Sequence, residues 1–138
     1  MKSTEYRAFV FAHIALFIVY VWFGAVKLFG YSPANPLVDA LLHQTMPFIT
    51  FHTFNLILGA YEVLIGLLFL IPRKERYAFI LLVPHVIVTT LPLFLLKGMT
   101  WQSMFVPTIE GQYIIKNVLI IAVAAMVFAD MSKKRQLA

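Results

Sequence analysis

Several polar side chains interrupt the apolar segments of this sequence, and their types are those that bind ligands or handle protons inside a membrane. In the second apolar segment Asn55 and Glu62 lie seven residues apart, with the small Gly59 between them, so they share one helical face. Tyr20 and Lys27 have the same spacing in the first segment. Each pair belongs to a longer stripe at spacings of three and four: His13, Phe17, Tyr20, Gly24, Lys27 and Tyr31 in the first segment, and His52, Asn55, Gly59, Glu62 and Gly66 in the second. Because ionisable residues are costly in lipid, both stripes should face the interior of a helical bundle.

Glu62 lies near the middle of its apolar segment, where an unpaired carboxylate is expensive. Counted from the helix ends on the side of the chain termini, Glu62 and His85 are about 12–14 Å deep at a rise of ~1.5 Å per residue. Lys116 is about 20 Å deep and Lys27 about 25 Å deep on the same scale. Glu62 should therefore be protonated, or paired with Lys116 or Lys27. We expect the contact with Lys116, with His85 at the same level, while Lys27 could instead extend to the outer headgroups.

The candidate ligand-binding residues are therefore Glu62, Lys116, Lys27, His85, Asn55 and Tyr20. Glu62 could bind a ligand or a proton, or it could be a structural contact that sets helix packing, and His85 could simply bond to a carbonyl freed by Pro84. No catalytic residue can be assigned, and no metal site is expected. A haem held by two histidines is disfavoured, because by residue counting no two histidines share a depth. The absence of cysteine excludes thiol nucleophiles and cysteine-ligated clusters in this chain.

The elements that must position these residues are transmembrane helices. Hydrophobic residues make up 62% of the 138 residues and charged residues 12%, too few polar groups to cover a water-soluble domain. Apolar runs long enough to cross a membrane lie at about 8–29, 48–71, 77–96 and 112–129. We predict an all-α integral membrane protein, with residues 1–138 forming a single domain and a bundle of four transmembrane helices. Pro84 and Pro92 should bend the third helix.

The basic residues predict the orientation of this bundle. Nearly all of them flank the helix ends on one side, namely Lys2, Arg7, Arg73, Lys74, Arg76, Lys133, Lys134 and Arg135, and only Lys97 lies in the opposite loops. The positive-inside rule places that side, with both termini, in the cytoplasm, so the net charge of +5 is no sign of nucleic-acid binding. We expect the first segment to be a retained helix, because it lacks a small-residue cleavage site. In the outer loops, residues 37–43 have the spacing of a short amphipathic helix and residues 101–106 are similarly interfacial, so both form a partial lid or ordinary connections.

Three short motifs carry a family resemblance. They are Trp22-Phe23-Gly24-Ala25-Val26-Lys27-Leu28-Phe29, Gly59-Ala60-Tyr61-Glu62-Val63-Leu64-Ile65-Gly66 and Gly111-Gln112-Tyr113-Ile114-Ile115-Lys116-Asn117. In sequence, order and helix placement they resemble the DoxX-like superfamily, particularly its YkgB-like branch. The resemblance implies a four-helix protein of the bacterial inner membrane. Its Gly-x-x-Lys motif maps onto Gly24 and Lys27, its Glu-x-x-x-Gly motif onto Glu62 and Gly66, and its helix-four lysine onto Lys116. Members of the superfamily include small subunits associated with quinone-linked sulfur oxidation and proteins linked to oxidative stress.

Two classes of function follow from these observations. In the first, the protein is a redox-associated subunit that holds a quinone or a similar amphipathic molecule among the helices. It carries no intrinsic cofactor, so a membrane-protein partner with flavin or metal supplies the electron chemistry. In the second, it is a non-enzymatic structural or assembly subunit of a larger membrane complex. Proton or solute passage along the central charges is a weaker third option, and it would require a homo-oligomer.

Overall fold

Long helices dominate the computed structural model, which describes residues 3–136, with side chains up to residue 133. In chain order the elements are α1 (Ser3–Leu28), α2 (Asn35–Thr45), α3 (Phe51–Leu70), α4 (Glu75–Thr90), α5 (Pro92–Leu95), α6 (Lys97–Thr100), β1 (Trp101–Ser103), β2 (Val106–Pro107), α7 (Ile109–Ile115) and α8 (Asn117–Gln136). Within the described residues, four helical stretches are long and apolar enough to cross a membrane: Ser3–Leu28, Phe51–Leu70, Glu75–Leu95 and Ile109–Lys133. The prediction of four long apolar helices in these regions of the chain is thereby confirmed.

The ends of these spans differ from the predicted ones because hydropathy measures the apolar layer and not the helix. Helix α1 begins five residues before the predicted start at residue 8, since a helix satisfies its own backbone in water as well as in lipid. The fourth span begins at Ile109 and not at 112, because the Thr108 side chain accepts a hydrogen bond from Gly111 N at 3.1 Å and caps the helix.

Proline and lysine mark the interruptions of the third and fourth spans. Pro84 lies inside α4, and Pro92, which has no N–H to donate, begins α5 after the turn at Leu91. Leu91 N instead bonds to Val88 O at 3.2 Å, so the chain keeps nearly helical geometry there. Lys116 separates α7 from α8, also with helical dihedral angles, so the two form one span.

The tightest packing in the bundle joins α1 to α3, which contact each other more extensively than any other two elements. A Cβ atom at Gly24 would lie 2.6 Å from the carbonyl oxygen of Gly59, and one at Gly59 would lie 2.8 Å from that of Gly24. The two backbones are thus in contact, as small residues permit in membrane bundles. Helix α4 packs on α3 and on α8, and α8 closes the bundle against α1.

The outward-facing side chains of the bundle are largely apolar. In each of the four spans, at most a third of the residues in the most apolar segment are buried inside the bundle. Large exposed side chains on the four spans include Phe11, Trp22, Ile57, Ile87, Leu119 and Met126. A surface of this kind suits lipid as solvent, because transfer of that much apolar area to water would be unfavourable.

The connections divide unequally between the two ends of the bundle. We call the end that carries α2, Lys97 and the two strands the α2 end, and the end where α4 begins the Glu75 end. Arg7, Arg73, Lys74, Arg76 and Lys133 lie at the Glu75 end. Of the other basic residues used to predict the orientation, Lys2 and the side chains of Lys134 and Arg135 lie outside the described residues.

The loops at the α2 end contain a short helix and a hairpin. The predicted amphipathic helix is confirmed as α2, which has Leu41 and Leu42 buried. Residues 101–107 form a small antiparallel hairpin, which departs from a purely helical fold. Its position is held by Trp101 Nε1, which donates to Leu93 O at 2.9 Å.

Replacement of Gly24 by alanine tests the contact between α1 and α3. The added methyl would meet Gly59 O and Val63 N, both backbone atoms that cannot move aside alone, so we expect Gly24→Ala to cost about 1–3 kcal/mol. The matched control is Gly98→Ala, where a Cβ meets nothing within 4 Å. Unfolding by titration with SDS in detergent micelles measures both. Equal stability of the two variants would contradict this packing.

Candidate functional site

A buried ion pair joins the first two long helices. Lys27 Nζ donates to both oxygens of Glu62, at 3.0 Å to Oε1 and 2.7 Å to Oε2. Only 7% of Lys27 and 4% of Glu62 is exposed, so neither charge is screened by solvent. The pair is possible because two glycines bring the backbones of α1 and α3 together. Gly24 lies one turn before Lys27 in α1, and Gly59 lies one turn before Glu62 in α3.

His85 extends this pair to α4. Its Nε2 is 2.9 Å from Glu62 Oε1, and its Nδ1 is 3.4 Å from the Tyr20 hydroxyl. Because the carboxylate accepts, Nε2–H donates to it, and Nδ1 then accepts from Tyr20 O–H. The Tyr61 ring stacks on the imidazole at 6.2 Å between centroids, and its hydroxyl donates to Leu81 O at 2.7 Å. We call the chain Tyr20–His85–Glu62–Lys27 the polar cluster.

Asn55 supports this cluster from behind. Its Nδ2 donates at 3.1 Å to Lys27 O, a carbonyl at the end of α1 that also accepts from Gly30 N at 3.0 Å. The Asn55 side chain does not line the cavity described below. The ligand-binding role of Asn55 stays a prediction, and the contact that the structure shows is with the backbone that carries Lys27.

The predicted contact between Glu62 and Lys116 is wrong. Depth counting placed Lys27 too far outward because it ignored the direction of the side chain. The Cα–Cβ bonds of a helix tilt toward its N-terminus, so the long Lys27 stem runs back from the end of α1 toward Glu62. Lys116 is instead exposed at the junction of α7 and α8, and within the described residues its ammonium makes no ion pair or hydrogen bond.

The polar cluster forms the floor of a cavity of about 350 Å³. Tyr20, Lys27, Glu62 and His85 line the floor, and Lys116 lines the same cavity from the fourth span. The walls are apolar side chains of every long helix, among them Val19, Phe23, Phe54, Leu58, Val88, Ile114 and Ile120. Five of the six predicted ligand-binding residues thus border one space.

Helix α2 covers part of this cavity. Ala34, Leu37, Val38 and Leu41, which belong to the helix and the residue before it, line the space from above. The start of α2 is tied to the turn after α1, where Asn35 Nδ2 donates to Gly30 O at 3.1 Å and Gly30 adopts a φ of 77°. The expectation of a partial lid is therefore confirmed for α2, and the cavity is not fully enclosed.

Sequence reasoning missed three residues that line the cavity, namely Tyr113, Asn117 and Thr89. Tyr113 lies on the cavity wall and was not among the predicted ligand-binding residues. Asn117 Nδ2 donates to Thr89 Oγ1 at 3.1 Å, and this bond links α8 to α4 beside the cavity. The signal for it was available, because both residues are polar within apolar runs, but their distance in sequence concealed the pairing.

A second buried polar pair lies toward the Glu75 end. His13 Nε2 is 3.5 Å from Glu75 Oε1, and His13 Nδ1 is 2.9 Å from Phe9 O. Glu75 is the first residue of α4 and is buried. No described group of three or more His, Asp or Glu side chains is arranged to hold a metal ion.

The fold and the cavity define a class of protein: a helical bundle with four candidate membrane spans and a polar cluster at the floor of an apolar cavity. No protein-family model, curated protein or solved structure matches this chain.

Replacement of Lys27 tests which lysine balances Glu62. Lys27→Met leaves a buried carboxylate without its cation, so we expect a loss of about 3–5 kcal/mol in the free energy of unfolding. Lys116→Met is the matched control and should leave stability nearly unchanged, because Lys116 makes no ion pair within the described part of the chain. SDS-titration unfolding of both variants gives the comparison. A larger loss in Lys116→Met than in Lys27→Met would overturn the assignment.

Proposed function

We propose that this chain is a multi-pass protein of the bacterial cytoplasmic membrane that holds an amphipathic molecule of the quinone class in the cavity beneath α2. It serves there as a small membrane subunit of a redox system. The cavity itself carries the proposal, because it combines walls from all four spans with hydrogen-bonding groups concentrated at the floor and at Lys116. That mixture of apolar walls and few polar groups is typical of small-molecule sites.

The size and the polar groups of the cavity suit the head of such a molecule. A volume of about 350 Å³ lies at the lower end of the range for ligand pockets, which accommodates a ring with part of an apolar tail. Lys116 has an ammonium that bonds to no other described residue, and it would donate to a ring carbonyl. Tyr20 at the floor would face the other side of the ring. A bound quinone would supply the capacity to carry electrons, and the protein would supply orientation and polar contacts.

The redox part of the proposal also requires a partner. The chain has no cysteine, and we assign it no cofactor of its own, so a flavin- or metal-bearing protein would exchange electrons with the bound molecule. The distribution of lysine and arginine supports the orientation, with the Glu75 end in the cytoplasm and the α2 end outside. The alternative is a structural subunit, in which the polar cluster serves only helix packing.

Fusions to green fluorescent protein test the orientation. A fusion after the full-length C-terminus should fluoresce, because this side is cytoplasmic under the positive-inside rule. A truncated chain fused after Pro33, in the turn that follows α1, is the control and should stay dark. The reverse pattern would contradict the orientation.

A pair of neighbouring substitutions tests the cavity. Leu58 lines it, whereas the adjacent Ile57 is 60% exposed on the outside of the same helix. Tryptophan at position 58 should fill the space, so Leu58→Trp should lose most of any quinone that co-purifies, and Ile57→Trp should retain it. Mass spectrometry of gently purified protein gives the ratio of quinone to chain.

Three results of that measurement carry different conclusions. A stoichiometric quinone lost only in Leu58→Trp supports the proposal. Quinone lost equally from both variants would place binding outside the cavity and overturn it. Purified protein that holds phospholipid alone would favour the structural alternative.

A further inference from the structure

The interior of the bundle is divided into two unlike halves. The residues that line the cavity lie at the level of Tyr20 and Glu62 or nearer to the α2 end. The half toward the Glu75 end is filled by a close-packed apolar cluster that includes Leu16, Ile65, Phe69, Ala78, Leu82 and Ala124, each with at most 4% exposure. We call this cluster the apolar plug. The polar cluster lies at the boundary between the two halves.

The apolar plug separates the polar cluster from the other buried polar pair. Tyr20 and His13 lie on one face of α1, seven residues and so about 10 Å apart. Leu16 fills the position between them, and Phe69 and Leu82 close the same level from α3 and α4. Close-packed apolar side chains exclude water, and a proton needs a chain of polar groups or waters to move. Among the described residues, the side chains at this level are apolar, which disfavours proton passage from end to end through one copy. The homo-oligomer that the third option requires stays a prediction.

The polar cluster itself has the connectivity of a short proton relay. Tyr20 O–H points to His85 Nδ1, and His85 Nε2–H points to Glu62, whose charge Lys27 balances. His85 can therefore accept a proton on Nδ1 and become a cation beside an existing anion. The other titratable groups around it are Tyr61 on α3, which stacks on its ring, and Tyr113 and Lys116 across the cavity.

We propose that the polar cluster is a proton-exchange site that opens only toward the α2 end, so that a molecule held in the cavity gains and releases its protons on that side. A hydroxyl of the molecule passes its proton to the Tyr20 oxygen while Tyr20 O–H passes its own to His85 Nδ1. The molecule is left as an oxyanion and His85 as a cation, and the two new charges balance. The reverse steps return the proton, and no electron moves. This proposal rests on the function proposed above only for the identity of the molecule.

The access route can be tested without any ligand. The chain has no cysteine, so single substitutions give unique thiols. Leu58→Cys places one in the cavity and Leu82→Cys places one in the apolar plug. Tyr31→Cys and Arg76→Cys, both exposed, report which end of the bundle faces the reagent.

A membrane-impermeant maleimide is applied to intact spheroplasts and to inverted vesicles. Leu58→Cys should react only in the preparation in which Tyr31→Cys reacts, and Leu82→Cys in neither until SDS is added. Reaction of Leu58→Cys or Leu82→Cys in the preparation that labels Arg76→Cys would overturn the proposal.

A coloured probe tests the proton step. An alkyl-substituted 2-hydroxy-1,4-naphthoquinone changes its visible absorbance when its hydroxyl ionises. With the protein oriented in liposomes, a pH jump at the α2 end should change the absorbance of bound probe rapidly, and a jump at the Glu75 end should not. Tyr20→Phe should slow the response about tenfold or more, whereas Tyr77→Phe, which removes an exposed hydroxyl at the Glu75 end, should not.

The outcomes separate the two proposals. A bound probe that responds to the Glu75 end, or at an unchanged rate in Tyr20→Phe, overturns the relay while ligand binding stands. A probe that does not bind argues against the proposed function, and the maleimide pattern then still decides the route of access.

Discussion

The buried pair of Lys27 and Glu62 is the interaction on which the arrangement of the first two spans depends. Two charges removed from water are tolerable only at hydrogen-bonding distance, and here both oxygens of the carboxylate are engaged. That distance in turn requires the backbone contact of Gly24 with Gly59, where no side chain would fit. Packing and electrostatics are therefore coupled: the glycines let the charges meet, and the charges set which faces of α1 and α3 are opposed.

The polar cluster also marks a boundary in the interior of the bundle. Below it, toward the Glu75 end, buried apolar side chains from α1, α3, α4 and α8 pack against one another. Above it, toward the α2 end, the helices leave a cavity with apolar walls and with Lys116 on the fourth span. The boundary falls within one turn of Tyr20 on α1.

The irregular parts of the chain complete the cavity. The turn at Gly30 sends α2 back across this end of the bundle. Tyr113 and Asn117, one turn apart on the fourth span, both border the cavity. Pro92 follows the end of α4 beside the same wall. The connection between α1 and α3 therefore contributes to the site together with the spans.

The sequence by itself determined the four spans, the helical faces that carry Tyr20, Lys27, Asn55 and Glu62, and the short helix at 37–43, because hydropathy and periodicity are local properties of the chain. Only the tertiary structure decided that Lys27 and not Lys116 meets Glu62, that Asn55 bonds to a backbone carbonyl, and that α2 covers part of a cavity. Residue counting gives the depth of a Cα atom along its own helix. It does not give the neighbour of that helix, nor the direction of a lysine side chain that is long enough to cancel the difference in depth.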